Sequence, residues 1–227
     1  MGARRLHGRR DRDDLDACVS DPADGVDAGG VGSAGIAVRS EHDGYVPCYE
    51  LIDCTGSLEE HDLACESASL STTNVYECEG YRLPTEAELE YATRAGTRTA
   101  LYSGDITAQP GLASCAADTN LEAIAWYCHT SESEVTHPVA RLLANQWGLF
   151  DVTGNAFEWT TDSGVGNPGP APWTDPLGTL DLTVGQVLKG GNAWGSNATL
   201  RSAGRLVLMP NEFGPSGGLR LVRSLFD

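Results

Sequence analysis

Long apolar runs are missing from this sequence. None reaches the roughly 18–20 residues needed to cross a bilayer, so no membrane span is expected. The arginine-rich start, RRLHGRRDRDD, is followed by no apolar segment of the kind a secretory signal carries. No two cysteines form a CxxC pair, which argues against a zinc site built from thiols. No phosphate-binding glycine loop is expected, and Gly190-Gly191 ends a strand-like segment without GxGxxG. No Ser-His-Asp set is suggested by local sequence. Histidine is scarce at five residues, and beyond His61 only His129 and His137 remain. Neither has a partner at ligand spacing, so both read as surface or hydrogen-bonded side chains.

Positive charge is also scarce outside the first dozen positions. Arg4, Arg5, Arg9, Arg10 and Arg12 are five of the fifteen basic residues, whereas 31 of the 32 acidic residues lie from Asp13 onward. A body this acidic repels phosphate backbones, so no nucleic-acid partner is expected. A hard cation or a basic protein surface is the better electrostatic match.

Cysteine is plentiful by contrast: Cys18, Cys48, Cys54, Cys65, Cys78, Cys115 and Cys128. Disulfides are the expected use and imply an oxidising compartment. The six body cysteines permit 15 connectivities. Short loop closure favours neighbour pairing, Cys48–Cys54, Cys65–Cys78 and Cys115–Cys128, with Cys18 left over. An extracytoplasmic location follows (periplasmic, lipoprotein-anchored or secreted), which conflicts with the lack of a signal segment. Residues 1–39 resolve the conflict if they are an atypical leader, disordered or mis-framed. They combine a charge block with a small-residue tract, ADGVDAGGVGSAGIAV, that shows neither helical nor strand periodicity.

From residue 40 to 227 the texture changes to aromatics, cysteines and punctuated turns. In RLPTEAELEYATRAG, Thr85 and Glu88 form a capping box, Arg94 suits the far end and Gly96 ends the helix. Ala87, Tyr91 and Ala95 are expected to be its buried face, with Leu83 leading in. LEAIAWYC, PVARL, GLFDV, FEWTTD, QVLKGG and LRLVRS read as short strands or strand ends. Asn167 to Pro176 is a surface loop. The fold class expected is α+β, loop-rich, with few helices and short antiparallel strands. Trp126, Trp147 and Trp159 are expected in the core, while Trp173 and Trp194 sit in loops that expose them.

Four stretches in order resemble the signature of the formylglycine-generating-enzyme, or sulfatase-modifying-factor, superfamily. They are GYRLPTEAELEYATRAGT, NQWGLFDVTGNAFEWTTD, VLKGGNAWGSNATLRSAGR and GGLRLVRS. The resemblance covers roughly 185 residues and implies a calcium-stiffened, C-type lectin-like fold. It also implies that the family's usual N-terminal strand and helix are missing or replaced here.

Calcium is the expected cofactor, in a structural role. The family's second calcium site maps onto Asp151, Gly154, Ala156 and Glu158, with Asp where the family often has Asn. Calcium takes six to eight hard oxygens, mixing carboxylates and backbone carbonyls, which this turn can supply. A weaker second set is Asp118, Asn120 and Glu122, alternating oxygen ligands at i, i+2 and i+4. The family's oxidase uses two cysteines that bind copper(I), a soft ion suited to thiolates. Those positions fall near Gly195 and Leu200 here, and Asn192 replaces the accompanying serine. No copper is expected, and no catalytic residue is assigned.

The resemblance places the same loop on the ligand face of lectin-like relatives, including hypervariable binding proteins diversified by retroelements. Asn192, Trp194, Ser196, Asn197, Thr199 and Arg201 offer amides, hydroxyls and one large ring there. The expected function is a non-oxidase, exported bacterial domain that binds a protein or glycan. The alternative is a formylglycine-generating or nonheme-metal oxidoreductase with an unrecognised active site.

Overall fold

The computed structural model describes residues 31–57, 64–107, 115–131, 135–165, 176–177, 184–209 and 217–226. The chain begins there with helix α1 (Val31–His42), followed by strands β1 (Tyr49–Thr55) and β2 (Ala64–Leu70), which pair as an antiparallel hairpin. Strand β3 (Tyr81–Arg82) leads into helix α2 (Glu86–Arg94), and a single helical turn, α3 (Thr119–Glu122), comes later. Strands β4 (Phe157–Ser163), β5 (Gln186–Lys189), β6 (Leu206–Leu208) and β7 (Gly217–Gly218) form a four-stranded sheet in the order β6-β5-β4-β7. Strand β8 (Val222–Arg223) returns to pair with β3. The β4–β7 pairing is parallel and the other strand pairs are antiparallel. The architecture is α+β, with connections dominating regular structure.

Helix α1 corrects the expectation of an unpatterned leader ending at residue 39. Its small residues are what allow it to dock: Ala34, Ile36, Ala37 and Ser40 are buried. Ser40 Oγ donates to the Ile36 carbonyl and accepts from the Tyr81 amide, fixing α1 to β3. The approach is close enough that a Cβ on Gly80 would lie 2.9 Å from Ser40 Oγ, and 2.4 Å from the carbonyl oxygen of Val46 in the loop after α1. Residues 1–30, with Cys18, lie outside the described residues, as does Trp173.

Two apolar clusters form. The first gathers Ile36, Tyr49, Leu83, Phe157, Trp159 and Leu188 around the buried Cys48–Cys78 bridge. The second gathers Leu101, Leu121, Ile124, Tyr127, Val152 and Leu200. The disulfides are Cys48–Cys78, Cys54–Cys65 and Cys115–Cys128. Only the last matches neighbour pairing. The hairpin overrides loop length, because its register sets Cys54 directly opposite Cys65 and leaves Cys48 and Cys78 to close around them.

The capping box of α2 is formed as expected. Thr85 Oγ1 accepts from the Glu88 amide, and the Glu88 carboxylate accepts from the Thr85 amide. Ala95 adopts a left-handed backbone at the helix end and Gly96 follows with φ +93°. The buried face is only partly the one expected: Leu83 and Ala95 are buried as read and Ala87 is half-buried. Leu89 and Thr93 are buried, whereas Tyr91 is 60% exposed and meets Trp147 edge-on at 4.9 Å. Trp147 is itself 42% exposed, not core. The reason is electrostatic: the sheet beneath α2 presents Lys189, which pairs with Glu90 at 2.9 Å and Glu86 at 3.7 Å. The helix therefore turns its carboxylates toward the sheet and its tyrosine away.

LEAIAWYC is likewise a helical turn followed by tight turns, not a strand, and PVARL and GLFDV carry no strand. Asp118 supplies the reason for the first, by capping α3 through the Asn120 and Leu121 amides.

Candidate functional site

The turn from Asp151 to Glu158 and the loop from Gly190 to Arg201 lie side by side, joined through the backbone. The Gly154 amide donates to the Gly190 carbonyl at 2.8 Å, and the Ala193 amide donates to the Asn155 carbonyl at 2.9 Å. Three residues of the turn have left-handed backbone: Asp151 (φ +54°), Gly154 (φ +78°) and Asn155 (φ +66°). Glycine is required at 154, where a Cβ would sit 2.4 Å from the Trp126 carbonyl oxygen.

Asn155 is a hub the sequence reading did not assign. Its amide donates to the Trp126 carbonyl, its Oδ1 accepts from the His137 amide at 2.7 Å, and its Nδ2 donates to the His137 carbonyl at 3.0 Å. His137 stacks on the Trp126 ring at 3.9 Å, in the hydrogen-bonded role expected for it. Trp126 is half-buried within that stack.

Of the four residues expected to hold calcium, Asp151 and Glu158 have different surroundings. Asp151 Oδ2 accepts from the Ala140 amide at 2.6 Å. Burial pushes its carboxyl above the usual carboxylate range, against the pull of the Ala140 hydrogen bond and the Arg220 charge. Glu158 is buried, and its carboxylate lies in the fork of the Arg220 guanidinium, with Nε 2.9 Å from both oxygens. Arg220 Nη2 also donates to the Phe150 carbonyl at 2.9 Å. Arg220 lies in the GGLRLVRS stretch and was given no role from sequence; its pairing with Glu158 spans 62 positions and has no local signal.

Asp118, Asn120 and Glu122 are not brought to a common point. Asp118 uses Oδ1 to cap α3 and Oδ2 to accept from the Thr107 amide and hydroxyl, at 2.6 and 3.0 Å. Asn120 Nδ2 donates to the Asp105 carbonyl. Glu122 faces His129, with the ring nitrogen 3.6 Å away. On a helical turn the i+2 position lies away from i and i+4, so Asn120 is set apart from Glu122, and both Asp118 oxygens are already taken by the α3 cap and Thr107.

The six residues expected on a ligand face differ in burial. Asn192 and Asn197 are buried, Ser196 is half-buried, and Trp194, Thr199 and Arg201 are exposed. The loop is braced from within: the Gly195 amide donates to the Asn192 carbonyl, and the Thr199 amide and hydroxyl both donate to the Ser196 carbonyl. The Gly195 carbonyl accepts from the Cys128 amide, and the Leu200 side chain lies in the second apolar cluster. All six described cysteines are in disulfides.

Residues 37–225 match the family model described as the sulfatase-modifying factor enzyme 1-like domain. Among curated proteins, the chain is 38% identical over 132 residues to a formylglycine-generating enzyme of Mycobacterium tuberculosis, covering 50% of this chain and 40% of that protein. It is 29% identical over 163 residues to the chaperone protein LppX of Paenibacillus barcinonensis, covering 64% of this chain and 50% of that one. The chain thus spans about half the length, or less, of these relatives. Among solved structures, Treponema denticola variable protein 1 superimposes with a TM-score of 0.64 at 26% identity, covering 84% of this chain and 66% of that chain. CarF matches with a TM-score of 0.55 at 20% identity over 86% of this chain and 64% of its own, a likeness of fold alone.

Proposed function

Because this chain belongs to the sulfatase-modifying factor enzyme 1-like domain family, we propose that it is a calcium-stabilised member without oxidase chemistry, which recognises a protein or glycan through the loop from Asn192 to Arg201. The observation that carries this reading is how that loop is built. Where copper(I) chemistry needs two thiolates, the chain has Gly195 and Leu200, and the Leu200 side chain is fully buried. The same loop is held rigid by its own backbone and by the buried Asn192 and Asn197, so that Trp194, Thr199 and Arg201 face solvent. A rigid frame displaying an aromatic ring, a hydroxyl and a guanidinium suits recognition, because little side-chain freedom is lost on binding. The three disulfides fit an oxidising, extracytoplasmic setting.

The surroundings of Asp151 support the calcium reading. Its half-buried carboxylate is one whose charge burial disfavours, and a dication would offset that penalty. Asp151 would be the anionic anchor, and the Gly154 and Ala156 carbonyls would supply further oxygens. Glu158 would share its carboxylate with Arg220. The ion would supply positive charge that stiffens the turn carrying Asn155, and through it the Gly190–Arg201 loop.

Elemental analysis of chelator-free protein tests the proposal: calcium with neither copper nor iron is expected, and stoichiometric copper or iron would favour catalysis instead. The parent protein should melt at a higher temperature in calcium than in chelator, and Asp151→Ala should abolish the difference. Identical melting of the parent in both buffers would count against the site. The pH dependence has a definite sign. Because the folded pKa of Asp151 lies above its unfolded value of about 3.9, the metal-free fold loses stability as pH rises through that folded value. The calcium increment should therefore shrink as pH falls back through it.

Trp194→Ala should cost much less than the loss of a core tryptophan, because the ring keeps 37% of its exposure, while weakening any ligand. A loss as large as that of a core tryptophan would place the ring elsewhere.

A further inference from the structure

Charge is divided unevenly along the chain. Between Asp181 and Asp227 lie five basic residues and a single acid, Glu212, in a chain with 32 acidic residues. Four of the five cations are taken up by the rest of the fold. Lys189 pairs with Glu90 and Glu86 of α2, and Arg205 Nε meets Glu86 at 3.1 Å. Arg220 forks onto Glu158, and the Arg223 guanidinium lies 4.2 Å over the Tyr45 ring. Arg201 is the fifth. It is exposed, and among the described residues its guanidinium has no ion pair, hydrogen bond or ring contact.

The backbone that carries Arg201 is nevertheless fixed. Its carbonyl accepts from the Gly204 amide at 2.7 Å, and the next amide, of Ser202, donates to the Ala100 carbonyl at 2.8 Å. The loop also folds back on itself, since a Cβ on Gly195 would lie 2.7 Å from Thr199 Oγ1. Trp194 immediately precedes one side of that contact, and Arg201 follows the other by two residues.

We propose that the ligand of this loop is a saccharide bearing a carboxylate, which Arg201 binds while the Trp194 ring packs on a sugar face. The proposal rests on the reading of the loop as a recognition surface. A guanidinium that the fold leaves unpaired is complementary to a planar anion, and its paired donors match the two oxygens of a carboxylate. A protein partner fits less well. Trp194 is the only large apolar side chain exposed between Asn192 and Arg201, whereas a stable protein interface takes about 800 Å² from each partner around an apolar centre. The net charge of −17 does not exclude the contact. Charges more than about 8 Å away are largely screened at physiological salt, and no acid lies within ten positions of Arg201. The same acidic body repels polyanions, which selects a ligand with one isolated carboxylate.

The test titrates the full oxidised chain, by calorimetry and tryptophan fluorescence, with sialyllactose and with glucuronosyl xylotriose. Lactose and xylotriose are the matching frames without a carboxylate. At least one acidic sugar should bind about tenfold more tightly than its neutral frame, the ratio that one charge-assisted hydrogen bond supplies. Arg201→Gln should abolish that preference and Arg201→Lys should keep part of it, both with the melting temperature of the parent. Trp194→Ala should weaken the acidic and neutral sugars alike. Equal binding of acidic and neutral sugars, lost in Trp194→Ala, would overturn the carboxylate assignment and leave the loop a recognition surface. A preference unchanged in Arg201→Gln, tighter binding of a glutamate-containing peptide, or no binding of any probe would also overturn it. Failure of the underlying reading shows separately, as stoichiometric copper or iron in elemental analysis.

Discussion

Replacing Trp159 by alanine should cost about 3–5 kcal/mol, the range for removing a large buried ring. Trp159 is 0% exposed and sits on β4, opposite Leu188 of β5, within the apolar cluster that also encloses Cys48–Cys78. Its neighbours come from α1, the hairpin, β3 and β5. Disulfide-braced neighbours cannot collapse freely into the space left behind, which puts the expected loss toward the upper part of that range. Urea titration reads it as a lower midpoint with unchanged slope. Trp147→Ala is the internal comparison: that ring is partly exposed and should cost far less. Equal losses at the two positions would contradict the burial pattern on which the fold description rests.

The second large effect is expected at Arg82, which is 2% exposed. Its guanidinium meets both Glu88 oxygens, at 2.7 and 2.8 Å, and also donates to the Leu83 carbonyl. Arg82→Met should remove about 3 kcal/mol, the low end for breaking a buried ion pair, because the Glu88 side chain keeps one-third of its exposure and water recovers part of the loss. Burial alone would raise the Glu88 carboxyl. The Arg82 hydrogen bonds and charge, with the Thr85 cap, more than offset this and hold it below its usual range.

A lowered folded pKa stabilises above the unfolded value of about 4.3, and that contribution is lost as pH falls through the folded value. The difference between the parent and Arg82→Met should therefore be largest near neutral pH and shrink below about pH 4. Adding Glu88→Gln to Arg82→Met should recover part of the loss, since an uncompensated carboxylate is then no longer left behind. A difference that stayed constant from pH 7 to pH 3 would show that the arginine acts through packing alone.

Local chemistry was readable in the sequence; long-range pairing was not. The capping box at Thr85 and Glu88 depends on three residues of spacing, and it forms as read. FEWTTD and QVLKGG are strands, because their burial is decided by the sheet they build together. Tyr91 was misplaced on the buried face of α2, where Ala95 does lie, because periodicity on the helix says nothing about what lies beneath it. Lys189, about a hundred positions away, draws Glu86 and Glu90 inward and leaves Tyr91 outside. Cys115–Cys128 pairs as read, but the other two bridges do not, since hairpin register rather than loop length decided them. At the candidate site, the left-handed turn at Gly154-Asn155 could be anticipated from residue type. The hub role of Asn155 and the Arg220 clamp on Glu158 could not, because their partners come from distant segments.

One further consequence comes from the Asn145 side chain, whose Nδ2 donates to the Ala92 and Thr93 carbonyls at 2.7 and 3.2 Å. Helix α2 thus receives a hydrogen-bond donor at its C-terminal turn from some fifty residues further along the chain. Its first turn receives a partner from still further along, since the Glu86 amide donates to Asp162 Oδ2 at 2.6 Å. During synthesis the Thr85–Glu88 box can form as soon as its own residues emerge, whereas both end turns stay partly hydrated until later segments arrive and close long loops. The helix would then act as a landing point for those segments, each of which completes one of its ends.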